Sequence, residues 1–294
     1  LPASLVENAP AKVNLTLRVL GRRADRYHEI SSLVVFADCR DRLSFTPGGE
    51  LALTLAGPRA PAVGEVADNL VLKAARALQA RVPGLRLGAF HLDKELPVAA
   101  GLGGGSADAA AALRLLGRAN ELAPDDPRLH EAARSTGADV PVCLDPRPRL
   151  MQGIGEKLSA PVALPPLHAL LINPGVALAT KDVFAGWSVA SEPAIPFDLN
   201  AIAKTESEAD GYGRLLPLLL AQPNDLEGSA IALAPVIAEV LAGVRTLPRC
   251  GLARMSGSGA TCFGLFSAKA EAAAAEKILR AKYPAWWICA TTLG

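Results

Sequence analysis

Between Pro97 and Ser106 the chain reads Pro-Val-Ala-Ala-Gly-Leu-Gly-Gly-Gly-Ser, and it runs straight into an alanine-rich stretch at residues 107–116. Glycines leave main-chain N–H groups unshielded, and a helix start adds unpaired N–H groups and the positive end of the helix dipole. Together these make a seat for phosphate. Ser106 is placed as the N-cap of that helix; Asp108 in its first turn suits the dipole but repels an anion that comes too close. A plain connector would not need four glycines against a strong helix start. Neither common nucleotide signature fits. No lysine precedes Ser106 as a Walker loop requires, and Ser106 stands where the dinucleotide fingerprint needs its last glycine.

Other candidate residues are scattered. Lys12 and Asn14 share one face of an alternating segment whose other face carries Val13, Leu15, Leu17 and Val19. On that pattern alone Lys12 reads as a solvated surface lysine more readily than as a functional cation. Tyr27-His28 follows in a polar loop, where a Tyr-His pair can stack on and hydrogen-bond a ring. Asp139, just after Gly137, either caps local backbone or serves as a base. Gly257-Ser258-Gly259-Ala260 reads as a hairpin turn that also lets another backbone approach closely, and Asn224-Asp225 as an Asx turn opening a helix.

The elements that must position these groups suggest a mixed α+β chain rather than a regular βαβ repeat. Strands are predicted over 11–20, 30–37, 51–55 and 85–92. Helices are predicted over 69–80, capped by Asp68, and over 128–135, ending at Gly137. A change of pattern places a domain boundary near residue 155, giving an N-terminal nucleotide-binding domain (1–155) and a C-terminal domain (156–294). In the latter, helices are predicted over 181–187, 212–221, 230–244 and 268–281, a strand pair across 252–266, and strands over 169–173 and 286–291.

Composition narrows the function classes. The 294 residues, half of them hydrophobic, can fill a real core. With 30 basic against 29 acidic residues there is no field for a general nucleic-acid binder. Phosphate recognition must therefore be local. The five cysteines are scattered without metal-ligand spacing, and no stretch reaches the length of a membrane span. The chain reads as cytoplasmic, without a nucleic-acid or membrane partner; oligomeric state is not legible.

The block Gly101-Leu102-Gly103-Gly104-Gly105-Ser106-Ala107-Asp108-Ala109-Ala110 resembles the phosphate loop of the GHMP kinase superfamily. Ala9-Pro10-Ala11-Lys12-Val13-Asn14-Leu15, Arg26-Tyr27-His28-Glu29, Gly137-Ala138-Asp139-Val140-Pro141, Asn224-Asp225-Leu226-Glu227 and Met255-Ser256-Gly257-Ser258-Gly259-Ala260 follow in the family's order. They are similar to the branch whose acceptor is a cytidine diphosphate-linked methylerythritol. The resemblance implies a two-domain α+β fold with the active site in the cleft between domains, and an ATP-dependent kinase using Mg²⁺. It implies nucleotide contacts from Asn69, Leu70, Lys94, Pro97, Gly101, Leu102, Gly103, Gly104, Gly105 and Ser106. Asn14, Tyr27, His28 and Asp139 would hold the acceptor, with Asp139 as general base and Lys12 as its electrostatic partner. Ala107 replaces a serine common in the family, leaving Ser106 as the hydroxyl offered to a metal. Two alternatives share the loop: a homoserine- or mevalonate-type kinase, which needs no Tyr-His ring clamp, and a catalytically silent nucleotide-binding homologue, which needs neither Lys12 nor Asp139.

Overall fold

A computed structural model describes residues 4–25, 27–188 and 208–294; Leu1, Pro2, Ala3 and Arg26 lie outside the described residues. Strand β1 (Leu5–Asn14) leads through a bend into β2 (Arg18–Arg22), the long β3 (His28–Pro47) and β4 (Ala52–Ala56). Helix α1 (Leu70–Gln79), β5 (Gly88–Asp93), α2 (Gly104–Ala119), α3 (Pro127–Thr136) and the short α4 (Val140–Leu144) come next. The chain continues through β6 (Arg149–Gly153), β7 (Lys157–Leu158), β8 (Leu167–Asn173), α5 (Thr180–Ala185), α6 (Glu208–Leu220), α7 (Glu227–Leu233) and α8 (Val236–Arg245). It closes with β9 (Leu252–Met255), β10 (Cys262–Phe266), α9 (Lys269–Lys282) and β11 (Trp287–Leu293). The α+β class expected from the order of elements is what forms.

The chain divides into two compact units whose segments interleave. One holds Leu1–Ala11, Cys39–Val98 and Gly103–Pro146; the other holds Lys12–Asp38, Ala99–Leu102 and Arg147–Gly294. The expected division near residue 155 takes each half as one continuous stretch, whereas here β1, β3 and the glycine loop each contribute to both units.

In the first unit the second half of β3 pairs antiparallel with β5, Phe45 opposite Phe90, and β4 lies parallel on the far side of β5. Helices α1 to α4 pack on one another. Helix α2 is buried almost all round, including Ala107, Ala109 to Ala112, Leu113, Leu115 and Leu116. An alanine helix fits such a place because small side chains let neighbouring elements approach from every direction.

In the second unit β8 is central. It pairs antiparallel with β10 on one side and β11 on the other, so that Leu171 faces Phe263 and Cys289. Its residues Ala169 to Ile172 are wholly buried, which explains a continuous apolar run rather than an alternating one. The first half of β3 pairs with β2 and β6, and Ala37 pairs with Leu293 of β11. Among the described residues no helix is long and apolar enough to cross a membrane.

Several boundaries differ from the sequence reading. The strand expected over 11–20 is two strands, because Arg254, buried beneath the bend, donates to Leu15 O at 2.7 Å and so takes a carbonyl out of strand pairing. Its supposedly polar face is covered too: Lys12 is 4% exposed and Asn14 1%. The cap of α1 is Asn69, whose Oδ1 accepts from Val71 N at 2.9 Å, not Asp68. Helix α2 begins at Gly104, with left-handed Gly103 as its cap, so Ser106 lies inside the first turn and is not the N-cap. The helix expected over 230–244 is α7 and α8, separated at Pro235, which cannot donate to a helix ladder.

Candidate active site

The loop from Pro97 to Gly103 carries left-handed backbone at Ala99 (φ 51°), Gly101 (φ 73°) and Gly103 (φ 60°). Left-handed backbone thus recurs at every second position, and at 101 and 103 glycine adopts it without strain. Gly101 must be glycine for a further reason: a Cβ there would stand 2.5 Å from Ser256 O. Gly103 caps a 16-residue helix without a side chain of its own, so the first-turn N–H groups remain for a ligand. Leu70 Cδ1 comes to 3.4 Å from where a Cβ on exposed Gly105 would be, which brings the start of α1 to the loop.

Beneath the first turn of α2 three charges are buried together. Lys94 Nζ donates to Asp41 Oδ2 at 2.5 Å and to Asp108 Oδ2 at 2.7 Å, with all three side chains at most 4% exposed. Asp41 Oδ1 also accepts the N–H groups of Glu95 and Leu96, at 2.7 and 2.8 Å. Burial, helped by the Asp41 carboxylate, pushes Asp108 up to about 7 against the pull of Lys94. Lys94 itself is lowered by burial but raised further by its two carboxylates, and its net shift is upward. The Lys94 main chain is occupied as well, its N–H on Ala56 O and its carbonyl on Arg59 N. The Lys94 side chain and main chain are thus both engaged beneath the first turn of α2. The Asp108 side chain likewise turns into this cluster instead of toward an anion at the helix end.

In the second unit Lys12 sits beside the same loop. Its N–H donates to Leu102 O at 2.8 Å. Two residues on, Asn14 N donates to Ser256 Oγ at 3.1 Å, and that hydroxyl donates to Gly101 O at 3.0 Å. Asn14 Nδ2 donates to Ser32 Oγ at 2.7 Å, and a Cβ on Gly257 would lie 3.2 Å from Asn14 Oδ1. Asn224 forms the expected Asx turn with Leu226 N, and its Nδ2 donates to Met255 O and Gly257 O, each at 2.8 Å. The turn between β9 and β10 therefore braces Gly101 and Asn14 at once. Thr180 Oγ1 and Ser258 Oγ share a hydrogen bond of 3.0 Å at the edge of this turn.

Tyr27 is 61% exposed, its N–H on Asp25 Oδ1 at 3.1 Å. His28 opens β3 and stacks on Phe184 of α5, ring centroids 4.9 Å apart and planes 24° apart; Trp187 meets it edge-on at 5.6 Å. Burial and then the Arg22 charge hold the His28 imidazole below its ordinary range. Phe184 and Trp187 escaped the sequence reading because nothing in their spacing links them to His28, which lies in another part of the chain. Asp41 is missed for the same reason, and Ser256 is singled out only as part of the motif at residues 255–260. In the first unit Asp139, half-buried, precedes α4 with Pro141 in its first turn.

The sequence model of the GHMP kinases N terminal domain matches residues 69–145, and that of the GHMP kinases C terminal matches residues 206–285. The chain belongs to the GHMP kinase family, and it is an ATP-dependent kinase that phosphorylates an alcohol. At full length it is similar to 4-diphosphocytidyl-2-C-methyl-D-erythritol kinases: 53% identical to that of Rhodopseudomonas palustris over 99% of both chains. It is 52% identical to that of Bradyrhizobium diazoefficiens over 100% of this chain and 99% of the other. A crystal structure of 4-(cytidine 5'-diphospho)-2C-methyl-D-erythritol kinase superposes with a TM-score of 0.78 at 34% identity, covering 99% of both chains. Homoserine kinase from Cytophaga hutchinsonii shares the fold, with a TM-score of 0.72 at 18% identity over 98% of this chain and 94% of the other.

Proposed function

We propose that the enzyme transfers the γ-phosphoryl group of ATP to the 2-hydroxyl of 4-diphosphocytidyl-2-C-methyl-D-erythritol, in the cytoplasm, on the non-mevalonate route to isoprenoid precursors. The observation that carries the acceptor is the stack of His28 on Phe184 at 4.9 Å with Trp187 on its edge. It is a flat aromatic wall ending in a ring with hydrogen-bonding nitrogens, which suits a pyrimidine. Homoserine and mevalonate have no ring to place there. Tyr27 and His28 hold the cytosine, and Asn14 orients the polyol.

Phosphoryl transfer through a loose transition state needs alignment and charge stabilisation more than covalent help. The N–H groups of Gly101 to Ser106 receive the β and γ phosphates, Pro97 sets the loop's approach, and Asn69 and Leu70 hold the adenosine. Asp139 takes the proton of the 2-hydroxyl, and Lys12 supplies positive charge to the oxygen as it becomes negative. A carboxylate is a weak base for an alcohol, so the proton leaves late.

Mg²⁺ fits this site as a nucleotide-borne ion. No cluster of three or more His, Cys, Asp or Glu able to hold a metal exists among the described residues, and Mg²⁺ prefers substrate phosphates with one or two protein ligands. Ser106, half-exposed in the first turn of α2, is the ligand proposed, and the ion would spread the charge of the phosphates. The test is ADP release measured by a coupled assay. The cytidine-bearing acceptor should support turnover, and homoserine and mevalonate should not. Equal turnover with homoserine would overturn the acceptor assignment.

A further inference from the structure

We propose that Asp41 is a positioning residue for ATP: through Lys94 it ties the entry and the exit of the phosphate loop to one carboxylate, so that the loop's N–H groups face the nucleotide. This rests on the reading of the loop as the ATP seat. The entry is the segment after β5, where Glu95 N and Leu96 N both donate to Asp41 Oδ1. The exit is the first turns of α2, where Asp108 is held by the same ammonium that Asp41 holds. The ammonium lies directly under the helix start: a Cβ on Gly104 would be 3.2 Å from Lys94 Nζ and 3.7 Å from Asp41 Oδ2. Gly104 is thus glycine because the bolt passes beneath it.

The two carboxylates are unequal. Asp41 accepts three hydrogen bonds, whereas Asp108 accepts one and keeps a buried Oδ1 without a partner among the described residues. Asparagine at 108 can still accept from Lys94 with its carbonyl and turn its NH₂ toward the idle position. Asparagine at 41 cannot serve in either orientation, because its NH₂ must face either the Lys94 ammonium or the N–H groups of Glu95 and Leu96, and all of these are donors. Assayed at about pH 8.5, above the range in which Asp108 titrates, both substitutions remove one negative charge. A purely electrostatic role predicts equal effects; a positioning role predicts an asymmetry.

The experiment compares Asp41→Asn with Asp108→Asn in steady-state kinetics with both substrates. Asp41→Asn should raise the KM for ATP by about tenfold or more, as expected for lost charge-assisted hydrogen bonds, with the acceptor KM unchanged. Asp108→Asn should stay within about threefold for both substrates, since its bond to Lys94 survives. Should Asp41→Asn not fold, Lys94→Gln with Asp108→Asn keeps the formal charge of the cluster and the two N–H bonds of Asp41 while removing the ammonium; the same selective rise in ATP KM is expected. Equal effects of the two single changes would overturn the proposal. So would an acceptor KM rising in step with that of ATP, an unchanged ATP KM, or failure of both test proteins to fold. A wild-type enzyme that releases no ADP would instead sink the reading of the loop itself.

Discussion

The N–H of Lys12 donates to the carbonyl of Leu102 at 2.8 Å, fixing the strand that carries the lysine against the loop that precedes α2. In the mechanism proposed above, this main-chain tie would set the reach of Lys12 and leave the charge to its side chain. Lys12→Met, which keeps the buried stem, and Asp139→Asn should each lower kcat by about 10²- to 10⁴-fold, the range of a lost general base or charge stabiliser. Circular dichroism and melting curves should stay close to wild type. A folded variant with near-normal turnover would remove that residue from the mechanism.

The aromatic wall makes a different prediction. His28→Ala or Phe184→Ala should raise the acceptor KM by about 5- to 100-fold, the effect of losing one base stack, and leave the ATP KM alone. Competition by cytidine should weaken in parallel. A matching rise for ATP would contradict the cytosine assignment.

Ser256 links Asn14 N to Gly101 O through one buried hydroxyl. Ser256→Ala leaves the buried Asn14 N–H unpaired, at about 1–3 kcal/mol, and frees the part-buried Gly101 carbonyl. A lower Tm should accompany a weaker affinity for ADP in isothermal titration. An unchanged ADP affinity would show that the loop keeps its shape without this tie.

Asp108 supplies a pH dependence. Its carboxyl is raised from the ordinary range to about 7, chiefly by burial, so between these values the folded protein binds more protons than the unfolded one. Stability from this group therefore falls as pH rises through about 4 to 7 and is fully lost above that window. Asp108→Asn should raise Tm at pH 8 and have a smaller effect near pH 5, read by differential scanning fluorimetry. A Tm difference independent of pH would argue against a buried titrating carboxyl.

Much of this was legible in the chain. The glycine run, the helix behind it and the hairpin across residues 252–266 follow from local composition, and each formed. Helix α2 starts earlier than its alanines suggest, because the glycines belong to the first turn, where the buried Lys94 leaves little room for a Cβ. Asp41 was illegible: in Asp38-Cys39-Arg40-Asp41-Arg42 it reads as one more solvated charge, and its partner lies 53 residues away. Alternation suggests one wet face for the strand that carries Lys12, whereas both of its faces are covered. Ser256 acts across 242 residues, a relation no local pattern encodes.

Strand β3 begins at His28, yet Ala37 finds its partner at Leu293, and Phe36 O accepts from Gly294 N at 3.0 Å. During synthesis this part of the chain must wait on the ribosome until β11 has emerged. Closing the chain between residues 37 and 293 costs loop entropy, so this pairing should form late in folding.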